Sequence, residues 1–151
     1  MASIDAALAA AAAATDPRGA ASALHALCAA SLPPAPASAE ILDEHSFDLF
    51  DAVLRCAKIS RACMGKAERV LTGLCEAASA REIFCMVMGA FSNERSPRLQ
   101  LLLLRTLARV VPNLKRKRAD FLATCLTSLN ARFLDSWPGA VWDEDLSLIH
   151  I

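Results

Sequence analysis

The chain has 151 residues, enough for one domain of ordinary size or one piece of a longer repeat array. Sixteen basic residues balance sixteen acidic ones, so no whole-chain field favours nucleic acid or an anionic membrane surface. Leu, Ile, Val, Phe and Met are plentiful from Phe47 onward, which excludes intrinsic disorder there and supplies a core.

Residues 1–31 form an alanine-rich leader in which Ser3 and the pair Asp16-Pro17 are placed as helix starts, the second helix running over 17–30. Such small side chains give these helices little to pack with. An organelle transit peptide is the competing reading, but transit peptides are Arg-rich and acid-poor, and this stretch carries Arg18 against Asp5 and Asp16. The start also lacks the basic n-region of a secretory signal, and the expected compartments are cytoplasm and nucleus. Residues 32–38 hold three prolines, which fix extended backbone and remove donors, so no helix runs through this linker.

A helical-repeat segment is expected over 39–145. Ser46 stands as N-cap of a helix whose Phe47, Phe50, Val53, Leu54 and Ala57 make the buried face, with Asp48, Asp51, Arg55 and Lys58 opposite. The phase changes near Ser60, and a second helix aligns Met64, Ala67, Leu71, Leu74, Cys75 and Ala78. Ser79 and Glu82 have the spacing of a capping box for a third helix with Ile83, Phe84, Val87, Met88 and Phe91 on one stripe.

Ser96-Pro97 restarts the chain as cap and first helical residue. The helix over 97–111 contains Leu101 to Leu104, a run expected of a helix packed on both sides. Arg98, Arg105 and Arg109 interrupt it well short of the ~20 apolar residues of a membrane span. Pro112-Asn113 breaks it, and a fifth helix carries Phe121, Leu122, Cys125, Leu126, Leu129 and Phe133 up to Trp137-Pro138-Gly139.

The expected fold is therefore all-α. Ser46, Ser79 and Asn113, the expected caps, stand 33 and 34 residues apart, about the length of one helical hairpin. The tetratricopeptide pattern needs Trp, Gly and Tyr at fixed offsets, and the chain has no tyrosine, so a HEAT-like or armadillo-like α-solenoid fits better.

Chemistry-bearing motifs are scarce. Six cysteines, at 28, 56, 63, 75, 85 and 125, fall mostly on apolar helix faces with no Cys-x-x-Cys, and read as reduced core thiols, neither zinc ligands nor a disulfide framework. Gly65, Gly73 and Gly89 sit singly in helices and read as points of close packing. There is no Gly-rich phosphate loop, no His near a candidate nucleophile and no carboxylate pair on one buried face, so neither an enzyme, a cofactor nor a small-molecule substrate is expected. The run Lys115, Arg116, Lys117, Arg118 has the composition of a nuclear localisation signal or small anion patch; a solvated turn between helices is the alternative.

One block carries a family resemblance. Ser46-Phe47, Ala52-Val53, Ser60, Cys63, Ala67-Glu68, Cys75 and Arg81-Glu82 resemble the pattern of plant-type members of the glomulin and aberrant root formation protein 4 family, over about a third of the chain. The resemblance implies a HEAT-like, non-catalytic adaptor that binds the RING-box subunit of cullin-RING ubiquitin ligases and blocks the ubiquitin-conjugating enzyme. In that family the RING-contacting surface lies in C-terminal repeats, and no stretch here corresponds to it, so no partner-binding residue is carried over. The chain is accordingly expected to be an N-terminal piece of a longer protein, with residues 146–151, Leu146-Ser147-Leu148-Ile149-His150-Ile151, as a non-native tail.

Overall fold

A computed structural model of the chain describes residues 3–114 together with Ala123 and Thr127. The fold of the described residues is all-α. The chain divides into two compact units, Met1–Arg116 and Lys117–Ile151. The first holds seven described helices, and no described helix is long and apolar enough to cross a membrane.

Helix α1 (Ile4–Ala13) starts where Ser3 Oγ accepts the Ala6 N–H at 3.2 Å, and α2 (Pro17–Ser31) where Asp16 Oδ1 accepts the Gly19 N–H at 2.8 Å. Both starts agree with the sequence. The expectation that these helices have little to pack with is corrected: α1 packs on α2 and on helix α4 (Ser46–Ile59), and α2 also packs on α3 (Ser38–Glu44), α4 and α5 (Met64–Ala77). Ala7 and Ala11 of α1 and Ala20, Ala23, Leu24 and Leu27 of α2 are buried, so the leader belongs to the core of the first unit. Alanine contributes little area per residue, but a whole face of it adds up.

Ser31 ends α2, its Oγ donating to the Leu27 carbonyl at 2.6 Å. The proline stretch turns the chain through a cis Pro33-Pro34 bond and a left-handed Ala37 (φ 54°). Leu32 is buried here, pinned over Gly73 of α5. Helix α3 (Ser38–Glu44) then leads into α4 (Ser46–Ile59) with only His45 between them.

That direct junction corrects the N-cap assignment. His45 bonds back to the Ile41 carbonyl and accepts from Leu49, so His45 takes the cap position and Ser46 falls inside the first turn. The buried stripe of α4 is Leu49, Phe50, Val53, Cys56 and Ala57, with Ala52 beside it; Phe47, expected inside, is 68% exposed.

A 3₁₀ turn (Arg61–Cys63) connects to α5 (Met64–Ala77), which buries Ala67, Val70, Leu71, Leu74 and Cys75. Helix α6 (Ala80–Asn93) buries Ile83, Phe84, Val87 and Phe91, matching the expected stripe except for a half-buried Met88. Helix α7 (Pro97–Val110) begins with proline as expected and buries Leu99, Leu102, Leu103, Thr106, Leu107 and Val110. Leu101 is 50% exposed, so α7 is amphipathic and not enclosed on both sides. Ser79 and Ser96 occupy N-cap positions, but neither side chain makes the capping hydrogen bond. Asn113 ends a 3₁₀ turn (Val111–Asn113). The fifth expected helix lies outside the described residues except for Ala123 and Thr127, both helical, with Thr127 Oγ1 donating to the Ala123 carbonyl at 2.9 Å.

Three pairings organise the first unit: α1 with α2, α4 with α5 and α6 with α7. Across them α4 touches α1 and α6, while α5 touches α2 and α7. Two arginines tie successive pairs together by reaching helix C-termini, whose last carbonyls lack intrahelical donors. Arg55 of α4 donates to the Ala14 carbonyl at 3.2 Å, and Arg98 of α7 donates to the Ala57 and Lys58 carbonyls at 3.0 and 3.3 Å. Arg98→Ala should lower unfolding free energy by about 1–2 kcal/mol, through orphaned carbonyls and lost packing of the side-chain stem. An unchanged urea midpoint would show that water replaces the guanidinium. Glu68 of α5 faces Arg105 at 3.5 Å and Arg109 at 3.6 Å, but both arginines are half-exposed, so this pair of bridges is weak and salt-sensitive.

Candidate functional site

The first turns of α4 and α6 lie close enough to share one lining. Between them lies an open groove of about 580 Å³, lined by Ser46 and Phe47 from α4 and by Ser79, Arg81, Glu82, Cys85 and Met86 from the start of α6. Its apolar part is Phe47, Met86 and Cys85, spaced on α6 so that Arg81, Cys85 and Glu82, Met86 are i, i+4 pairs. Its polar part is two serine hydroxyls, one guanidinium and one carboxylate. No imidazole lines it, so Cys85 has no base beside it in the groove.

A second hollow of about 350 Å³ lies along α1 and α2, walled by alanines with Thr15, Asp16 and Ser22. It offers only one charged group and little to orient a ligand.

The cysteines divide by environment. Cys56, Cys63 and Cys75 are buried, Cys28 is half-buried, and all are free thiols. Cys85 departs from the core-thiol expectation, being exposed at the groove, and Cys125 lies outside the described residues. Among the described residues no cluster of three or more His, Cys, Asp or Glu could hold a metal ion.

Burial pushes the Cys56 thiol up to about 11, aided by the neighbouring Cys63 and opposed by Arg55. Burial likewise pushes Cys75 up to about 11, against the pull of Arg109. These are raised acids, neutral in the fold, while the unfolded chain ionises near 9.0. Their stabilising contribution is complete below pH 9.0 and is lost as pH rises through 11. Urea midpoints should therefore fall over that window, and Cys75→Ala should flatten the fall. Brief alkylation of the native protein should modify Cys85 and spare Cys56, Cys63 and Cys75, as mass mapping would reveal.

Of the sequence-derived candidates, Lys115, Arg116, Lys117 and Arg118 lie outside the described residues, as do residues 146–151. The residues that carry the family resemblance differ in burial. Ser46, Ala52, Val53, Ser60, Cys63, Ala67 and Cys75 are buried and Glu68 is half-buried, whereas Phe47, Arg81 and Glu82 are exposed and all three line the groove. The groove is not visible in the sequence because helical spacing places Phe47 in the core and because the two walls come from different helices. The one signal available was the pair Arg81-Glu82 following a helix-start serine. No family model, curated protein or solved structure matches this chain.

Proposed function

We propose that this protein is a non-enzymatic helical-repeat scaffold that works by binding other proteins, built as an α-solenoid of HEAT-like or armadillo-like hairpins. The observation that carries the reading is the packing of each helix pair on the next one in sequence, α1/α2 on α4/α5 and α4/α5 on α6/α7. Helix starts repeat accordingly: Ser46 to Ala80 is 34 residues and Met64 to Pro97 is 33. A stacked array of this kind has exposed inter-helix grooves along its length, and such surfaces are how solenoid proteins engage partners.

The resemblance to the glomulin family makes regulation of cullin-RING ubiquitin ligases the specific form of this proposal, with the RING-box subunit as partner through repeats other than those in this chain. Cytoplasm and nucleus are the matching compartments. A general scaffold unrelated to ligases is the second reading, favoured by one fact: most resembling positions are buried and so report packing and not a partner. Tagging the protein at its own genomic locus and identifying what it captures separates the two. Recovery of RING-box and cullin subunits is the expected result, and a partner set without either leaves the general scaffold.

A further inference from the structure

We infer that the groove between α4 and α6 binds a peptide segment of a partner protein in which a large apolar side chain stands beside an Asp or Glu side chain. The apolar side chain rests on Phe47 and Met86, and the carboxylate meets Arg81 and the Ser46 and Ser79 hydroxyls. The inference rests on the protein-binding reading above.

Three independent features define the occupant. Phe47 is 68% exposed although the same helix buries six apolar residues, so an aromatic face stands open on the α4 wall, opposite the half-buried Met86 on the α6 wall. Ser46 is only 7% exposed and lines the groove, yet its hydroxyl makes no hydrogen bond among the described residues. Arg98 Nε is the buried side-chain polar atom left without a partner among the described residues, so the Ser46 hydroxyl is not sealed in but opens on the groove, where a ligand can reach it. Finally, the N-terminus of α6, a helix of 14 residues, has no side-chain cap: Ile83 is the first amide to find a carbonyl, that of Ser79, and the Ser79 hydroxyl makes no capping bond.

These polar groups favour an anion. A helix N-terminus acts as roughly half a positive charge, and Arg81 in its first turn adds a fork of donors matched to a carboxylate. Glu82, in the same wall, opposes excess negative charge and so selects a singly charged carboxylate over a doubly charged phosphate. A basic segment would find Glu82 but would meet both Arg81 and the helix terminus with the wrong sign.

The test is selection of peptides from a random phage-displayed library on the whole chain, followed by anisotropy titration of the most enriched peptide. Enriched sequences should place Asp or Glu next to a large apolar residue. Phe47→Ala and Arg81→Ala should each weaken binding by about tenfold or more, Arg81→Lys should keep part of it, and Glu82→Gln should tighten it. Phe47, Arg81 and Glu82 are exposed, so the variants retain the fold, which superimposable circular dichroism spectra would verify. Enrichment of basic peptides, no enrichment over bare support, or affinity indifferent to Phe47 and Arg81 would overturn the inference. Peptide binding without capture of a ligase subunit keeps the groove and removes the ligase assignment; capture without peptide binding does the reverse.

Discussion

Leu27→Ala should lower the unfolding free energy by about 3 kcal/mol, a substantial fraction of the 5–15 kcal/mol typical of a domain. Leu27 is fully buried in α2, a helix that packs against α1, α3, α4 and α5. Truncation removes its apolar contacts and leaves a cavity that the surrounding helices can close only in part. The result bears on organisation as well as packing, because α2 lies before the proline stretch. A leader that merely preceded the folded unit would lose less than ~1 kcal/mol on this substitution, within the range of a peripheral site. Urea unfolding followed by circular dichroism measures the difference.

Gly73→Val should cost about 2–3 kcal/mol, while Gly89→Ala should gain about 0.5–1 kcal/mol. The opposite signs follow from what each backbone faces. A Cβ at Gly73 would come within 2.9 Å of Leu32 Cδ2 and 3.3 Å of Leu42 Cδ1, both of them buried side chains with little room to retreat. A branched side chain there collides with the proline-stretch anchor and with α3 together. A Cβ at Gly89 meets nothing within 4 Å, so alanine there only reduces the freedom of the unfolded chain and improves helix propensity. Gly65 also faces open space. The expectation that all three glycines mark close packing thus holds for Gly73 alone. Thermal melts of the two variants would settle it: equal shifts of the same sign would mean that Leu32 and Leu42 move aside freely.

Much of the helical layout is legible in the sequence, for identifiable reasons. Prolines at 17 and 97 mark first helical residues, and the stripes of α5, α6 and the second half of α4 repeat every three to four residues. Where reading failed, two solutions were locally equivalent. Phe50, Val53 and Ala57 belong to both the expected and the observed face of α4, but either Phe47 and Leu54 or Leu49 and Cys56 can complete it at helical spacing, and only packing against α1, α2 and α5 chooses the second pair. Serines before Ala80 and Pro97 mark the right positions, but composition does not reveal that their hydroxyls leave the cap unmade.

The groove was illegible for a stronger reason. Phe47 and Arg81 become neighbours only when α4 and α6 are laid side by side, and nothing periodic in either helix announces it. Alanine misled in the other direction: the leader has the composition of a solvated or targeting segment, yet its Ala7, Ala11, Ala20 and Ala23 form a buried face. Residue type alone undervalues such faces, since their contribution comes from the area covered jointly and not from any one side chain.

The most direct test of the protein-binding account is to purify the protein produced from its own locus and mix it with purified RING-box–cullin complex on a size-exclusion column. Co-elution in one peak is the predicted result. Separate elution at micromolar concentrations of both would contradict the ligase-regulator form of the account.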